Sequence, residues 1–217
     1  MAGYLGVGIG YLNVVILMPK FLTPEEIGLY RTILSSAALF APIPLFGLRS
    51  AFVRFFPRND DRKNAALALY GLLIFLGLFG LLAVAAFFLK PQILPFFEAK
   101  AEAINDYLWL ILTLIGLMGI YSFLESILKA KKDITTPSFV RETLYKVTQS
   151  MAVILVGYTI ISVHQFLQLQ YLIYLFIGLL MFMFVLRKFS FKTSLNDLKG
   201  ADTKEFFTYS RYALLSG

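Results

Sequence analysis

The sequence predicts an all-α integral membrane protein with six transmembrane helices and the start of a seventh. Three observations carry this: an excess of apolar residues, apolar runs of membrane-crossing length, and basic residues sorted into alternate loops. The 217 residues are 59% hydrophobic and 15% charged, with a mean hydropathy of +0.75. An average soluble domain is about 45–50% apolar and about 25% charged, and a sphere of this size cannot hide so large an apolar excess from water. Runs near the ~20 residues that a helix needs to cross the hydrocarbon fall at about 2–19, 27–53, 65–89, 104–128, 139–163 and 166–186. None shows the alternation of a barrel strand, and in lipid a single span must satisfy its own backbone, so each is a helix.

The first run carries Gly6 and Gly10, whose small-xxx-small spacing permits close helix contact. Gly6-Val7-Gly8-Ile9-Gly10 is no phosphate loop, since it lies inside a lipid-length run with no strand before it. No basic leader or small-residue cleavage site marks a signal peptide. The short first run and the abrupt end after Glu205–Gly217 read as truncations, making the chain part of a longer membrane protein. Lys20-Phe21-Leu22-Thr23-Pro24-Glu25-Glu26 forms the first connection.

The second run holds the costliest residues. Arg31 and Arg49 are 18 residues apart, five helical turns, so an unbroken helix places them on one face about 27 Å apart. Ser35, Ala38 and Pro42 fall close to the same stripe. That face turns either toward a bundle interior or, by snorkelling, toward the membrane surface. Pro42 and Pro44 each remove a backbone donor, so Pro42-Ile43-Pro44 should kink or unwind the helix. Such a break serves either a substrate pathway, as in transporters, or packing.

In the connections, Asn59-Asp60-Asp61 and Thr135-Thr136-Pro137 are turn or helix-start signals. Gly116 and Gly119 are read as packing positions, and Phe55-Phe56, Phe96-Phe97, Tyr107 and Trp109 as interfacial aromatics. Glu125 precedes Lys129 by four residues, as Glu142 precedes Lys146, with Arg141 adjacent. If neighbouring helices bring Glu125 to Arg141, then Glu125, Arg141, Glu142 and Lys146 form either a cytoplasmic ion-pair gate or a solvated interfacial network.

Charge sorting fixes orientation. Arg49, Arg54, Arg58, Arg62 and Lys63 flank the second connection; Lys129, Lys131, Lys132 and Arg141 the fourth; Arg187, Lys188, Lys192, Lys199 and Lys204 the sixth. The odd connections hold only Lys20, Lys90 and Lys100. Fourteen against three places the even loops in the cytoplasm.

The same inventory excludes several function classes. There is no cysteine, hence no disulfide or thiolate chemistry, and His164 alone cannot build a zinc cluster or catalytic dyad. The net charge of +7 is spread over three loops without interleaved stacking aromatics, which does not fit nucleic-acid binding; it suits topology retention and attraction to anionic membrane lipids. No catalytic residue, metal or cofactor is expected, and the chain is read as no enzyme.

Tyr4-Leu5-Gly6 through Pro19-Lys20-Phe21-Leu22-Thr23-Pro24-Glu25-Glu26-Ile27-Gly28-Leu29-Tyr30 resembles the opening of bacterial polysaccharide and O-antigen flippases. Gly47-Leu48 to Arg54-Phe55-Phe56-Pro57 is similar to the end of their second helix, and Leu124-Glu125-Ser126 with Pro137 to Glu142 to their fourth-to-fifth connection. Tyr209-Ser210 to Ser216-Gly217 resembles the start of their seventh helix. The motifs are individually loose but run in order along the whole chain. These flippases belong to the multidrug/oligosaccharidyl-lipid/polysaccharide exporter superfamily, with 12 to 14 helices in two lobes around a cavity. The resemblance implies that residues 1–200 form the N-terminal transmembrane lobe and 201–217 the start of the seventh helix. It implies translocation of undecaprenyl-pyrophosphate-linked oligosaccharide across the bacterial inner membrane for polysaccharide or lipopolysaccharide biosynthesis, with an ion gradient as a candidate driving force. Arg31, Arg49, Arg54 and Ser35 are then the candidates for substrate contact, since guanidinium groups grip phosphate in a bidentate way. The alternatives are a cation-coupled multidrug-type exporter and a membrane-bound polymerase or ligase. The first wants an embedded carboxylate, whereas Glu25, Glu26, Asp106, Glu125 and Glu142 cluster near span ends. The second wants a catalytic external loop, where only Glu98, Lys100 and Glu102 stand out.

Overall fold

The computed structural model describes residues 2–93, 95, 105–188 and 201–216. Among them every regular element is helical. In chain order these are α1 (Ala2–Tyr11), a π-helical stretch (Leu12–Leu17) and α2 (Met18–Phe21), then α3 (Pro24–Phe40) and α4 (Leu48–Phe55). They are followed by α5 (Asp61–Ile93), α6 (Leu108–Ala130) and α7 (Thr135–Phe139). A second π-helical stretch (Val140–Leu144) leads into α8 (Tyr145–Gly157), then α9 (Val163–Lys188) and α10 (Ala201–Ser216).

Three helices, α5, α6 and α9, are long and apolar enough to cross a membrane, and the bent pair α3–α4 makes a fourth. Their starts follow from the local sequence. Thr23 caps α3 by accepting from the Glu26 amide at 3.3 Å, while Glu26 accepts from the Thr23 amide at 2.7 Å, a reciprocal capping box. Asp60 accepts from the Lys63 amide at 2.8 Å at the head of α5, and Asp133 from the Thr136 amide at 3.0 Å at the head of α7.

Burial ranks the helices. In their apolar stretches 67% of α6 is buried, against 33% of α9 and 6% of α5. The hub is thus α6, with α3, α4 and α9 packed on it, and α5 shows an apolar surface almost all round, as a lipid-facing helix does. Phe75 and Phe79 of α5 fill the space over Gly119 and Gly116 of α6, so these glycines serve packing as expected. Phe55 and Phe56 do not lie at an interface: both are 3% exposed. Phe52, Phe55, Phe56 and Phe206 form one aromatic cluster that docks α10 onto α4. The sequence-based reading failed here because α10 covers rings that a span end alone would leave exposed. Trp109, 66% exposed, keeps its surface position; Phe96 and Phe97 lie outside the described residues.

The first helix runs alongside the α7–α8 helix. Gly6 lies so close to Glu142 that a methyl group would collide with its carbonyl, and Gly10 packs against the Lys146 stem. At the other end of the pair Phe21 covers Gly157. The basic connections meet at one end of the bundle, where Lys131 pairs with Asp61 and Lys188 with Asp133. At the opposite end Tyr107 hydrogen-bonds His164 at 2.7 Å. The alternating loops therefore do segregate to two ends, although Lys100, Lys192 and Lys199 lie outside the described residues.

Two outcomes follow. Gly6→Leu overpacks the α1–Glu142 contact, a change that costs about 1–3 kcal/mol, whereas Gly8, whose Cβ position is open, tolerates alanine. Thermal unfolding in detergent should show a lowered Tm for the first and none for the second. At Asp133, burial pushes the carboxyl up, but Lys188 and the Thr136 amide outweigh it and hold it below the usual carboxylate range. Its contribution to stability is present above that range and lost as pH falls through the lowered value. Asp133→Asn should flatten this acid limb of Tm against pH.

Candidate functional site

The site begins at the break in the second helix. Ala41 still donates to Ala37 at 2.9 Å, but Pro42 and Pro44 have no N–H to continue the ladder. Leu45 and Phe46 close a single tighter turn onto Pro42 and Ile43. Phe46 (φ 47°) and Gly47 (φ 70°) are then both left-handed. Glycine adopts this freely, whereas a side chain pays on the order of 1 kcal/mol. The hydroxyl of Ser210 in α10 donates to the Phe46 carbonyl that the turn leaves unpaired. The two halves meet at 53°. The proline pair thus breaks the helix outright. One straight face joining Arg31 to Arg49 is overturned, because the left-handed pair re-aims everything after residue 47. Arg31 and Ser35 are exposed on α3, outside the cavity that Arg49 enters.

That cavity, about 390 Å³, lies between the break, α6, α9 and the α7–α8 helix. Five charged residues line it: Arg49, Glu125, Arg141, Glu142 and Lys146. Glu125 is the anchor at 3% exposure. Lys129 donates to it at 2.8 Å, and Arg49 and Arg141 each approach to 3.9 Å. The Arg141 Nε donates to Glu142 at 3.0 Å, and Lys146 donates to the other oxygen of Glu142 at 2.9 Å. The expected approach of Glu125 to Arg141 is therefore present, within a continuous network of four cations and two carboxylates. At 3.9 Å the guanidiniums stabilise Glu125 through space without hydrogen-bonding it.

The π-helical stretch 140–144 contains Arg141 and Glu142. Its wider winding offsets these two from the register of α8, and such bulges recur at functional sites. Beneath the charges lies a polar layer. Tyr121 donates to the Pro137 carbonyl at 3.0 Å. The rings of Tyr145 and Tyr174 meet at 5.2 Å, and Gln149 donates to Tyr30.

A second cavity of about 720 Å³ adjoins the first through Pro42 and Arg49. It is lined by Arg49, Arg54, Lys129, Ser50 and Ser126 among others, with Tyr209 from α10. Arg54 stacks over the Tyr209 ring at 4.3 Å from its centroid. Among the described residues three lining side chains are cationic and none is acidic. Together the cavities offer an oxyanion several charged donors within a partly apolar wall, the setting in which bidentate guanidinium contacts are strongest.

Of the residues singled out by sequence, Arg49, Pro42, Glu125, Arg141, Glu142 and Lys146 gather at one cavity, and Arg54 at its neighbour. Pro44 is buried behind the break. Tyr121, Tyr145, Tyr174 and Gln149 were missed. Their signal was positional: Tyr121 precedes Glu125 by one turn, and Tyr145 and Gln149 continue the Glu142 stripe. Glu98, Lys100 and Glu102 lie outside the described residues. Among the described residues no group of three His, Asp or Glu side chains converges as metal ligands. Family models, curated proteins and solved structures yield no match to this chain.

A double-mutant cycle tests the network. Glu125→Gln and Arg141→Gln should be non-additive in unfolding free energy by about 0.5–1 kcal/mol, the lower part of the range for contacting residues, because Arg141 is 55% exposed at its side chain and solvent screens the pair.

Proposed function

We propose that this chain is the N-terminal lobe of a two-lobe transporter that carries undecaprenyl-pyrophosphate-linked oligosaccharide across the bacterial inner membrane. In this reading residues 2–21 and 135–157 supply two further spans beside α3–α4, α5, α6 and α9, and α10 begins the seventh. At 1.5 Å per residue the two segments measure about 30 and 35 Å, enough for the hydrocarbon core. The first falls short in length, as an apolar helix over Gly6–Phe21, and the second because it carries Arg141, Glu142 and Lys146.

The observation that carries the proposal is the pair of adjoining cavities sharing Arg49, with more cations than carboxylates, at the bundle end where the basic loops meet. A lipid-linked pyrophosphate needs cationic side chains for its phosphates and a polar lining for its sugars, while its tail stays in lipid. Arg49 and Arg54 meet the first need, with Arg141, Lys129 and Lys146 around them. Tyr121, Tyr145 and Tyr174 meet the second. Arg31 and Ser35, exposed on α3, fit substrate contact only where a second lobe would close over that face. No bond is made or broken, so transport needs no nucleophile. One observation favours a cation-coupled exporter instead: Glu125, although near the end of α6, is buried, as an ion-coupling carboxylate must be.

Deletion of the full gene should make lipid-linked glycan accumulate facing the cytoplasm. Complementation with Arg49→Ala should leave transport at least about tenfold down, the effect of one lost charged contact of about 1.4 kcal/mol. Short unpolymerised glycan on the outer face would instead identify a polymerase. Unchanged glycan with lost drug tolerance would identify the exporter.

A further inference from the structure

A third cavity lies on the opposite side of α6 and owes nothing to the charged network. It is a slot of about 360 Å³ between α5, α6 and α9, walled by Leu72, Leu76, Leu117, Phe123, Ile127 and Phe182 among others, all apolar. Gly178 forms part of its wall, and the space over its Cβ position is open. We propose that this slot holds one acyl chain of an anionic phospholipid from the leaflet at the basic end of the bundle.

Three features select that occupant. The first is length: along α6 the slot runs from Ile127 to Leu117, about 15 Å at helical rise. That is half of the ~30 Å hydrocarbon core, the depth of one leaflet. The second is volume: a crossing helix about 10 Å wide and 30 Å long fills on the order of 2,000 Å³, far more than the slot, so a single chain fits and a helix does not. The third is charge. All three lining helices are basic at the end nearest Ala68, Ile127 and Phe182 of the slot. Arg62 and Lys63 open α5, Lys131 and Lys132 follow α6, and Arg187 and Lys188 close α9. Among the described residues of these helix ends the carboxylates are Asp60, Asp61 and Asp133, and Asp61 pairs with Lys131 and Asp133 with Lys188. The excess of positive charge at this end attracts an anionic headgroup, and Ile127, one turn before Lys131, places the chain directly beneath it. Here the phospholipid braces α5, otherwise the least buried of the long helices, against the hub.

The test uses the full chain, purified and stripped of lipid in detergent, with phosphatidylglycerol and phosphatidylcholine of identical chains as probes. Native mass spectrometry should retain phosphatidylglycerol in preference to phosphatidylcholine, and the same lipid should raise Tm. Gly178→Trp fills the slot and should weaken retention about tenfold. Gly77→Trp, on α5 outside the slot with an equally open Cβ position, should leave it unchanged. Lys132→Gln combined with Arg187→Gln, both exposed and outside the Lys131–Asp61 and Lys188–Asp133 pairs, should weaken the preference between headgroups. Equal retention of the two lipids by the unsubstituted chain would overturn the proposal. So would undiminished retention by Gly178→Trp, or a change of oligomeric state on that substitution without any loss of lipid.

Discussion

The arrangement depends on one carboxylate. Glu125 sits on the most buried helix of the bundle at 3% exposure, where an uncompensated charge would be far costlier than any local packing could offset. Its compensation comes from three directions: Lys129 from the same helix, Arg49 from the far side of the break, and Arg141 from the π-helical turn. Arg49 stands in the first turn of α4, just past the break, and Arg141 within the π-helical stretch itself. Continuation of α3 in a straight line would carry residue 49 away from α6. Regular winding through 140–144 would shift Arg141 and Glu142 in register. Both irregularities are thus tied to a single electrostatic requirement.

The break is held from both sides. The proline pair forbids continuation of the ladder, and the left-handed Phe46–Gly47 step sets the new direction. Ser210 satisfies the Phe46 carbonyl from α10, and the Phe52, Phe55 and Phe206 rings fasten that helix to α4. A side chain held at positive φ is tolerated only where surroundings over-determine it, and here a hydrogen bond and an aromatic cluster do so. A movement of α10 would reach Arg49 and Arg54 through this joint, since Tyr209 stacks on Arg54 one residue before Ser210.

Basic side chains concentrate at one end of the bundle, while the outer surfaces of α5 and α9 stay apolar. Lys131–Asp61 and Lys188–Asp133 tie the connections together there. The charged cavities and the apolar slot lie on different sides of α6, so the hub separates a polar interior from an apolar wall. Small residues make that separation compact: Gly116 and Gly119 receive the phenyl rings of α5, and Gly6 admits the backbone at Glu142.

Composition and run length were sufficient to determine an all-helical chain of apolar helices, because hydrocarbon leaves the backbone no other regular option for a single span; of the six spans expected, three or, with the bent pair, four are long and apolar enough to cross a membrane. Local chemistry was equally legible at the Asn59–Asp61 and Thr135–Pro137 signals and at the Pro42–Pro44 interruption, which depend only on neighbours in sequence. The approach of Glu125 to Arg141 was legible too, since a short connection folds their helices back on each other. Tertiary structure alone decided that Arg49 and Arg31 part company, that Phe55 and Phe56 are core, and that Tyr121, Tyr145 and Tyr174 underlie the charges. Each of these hangs on the angle at the break or on which helix covers which face, and helical periodicity holds no information about either once the helix stops.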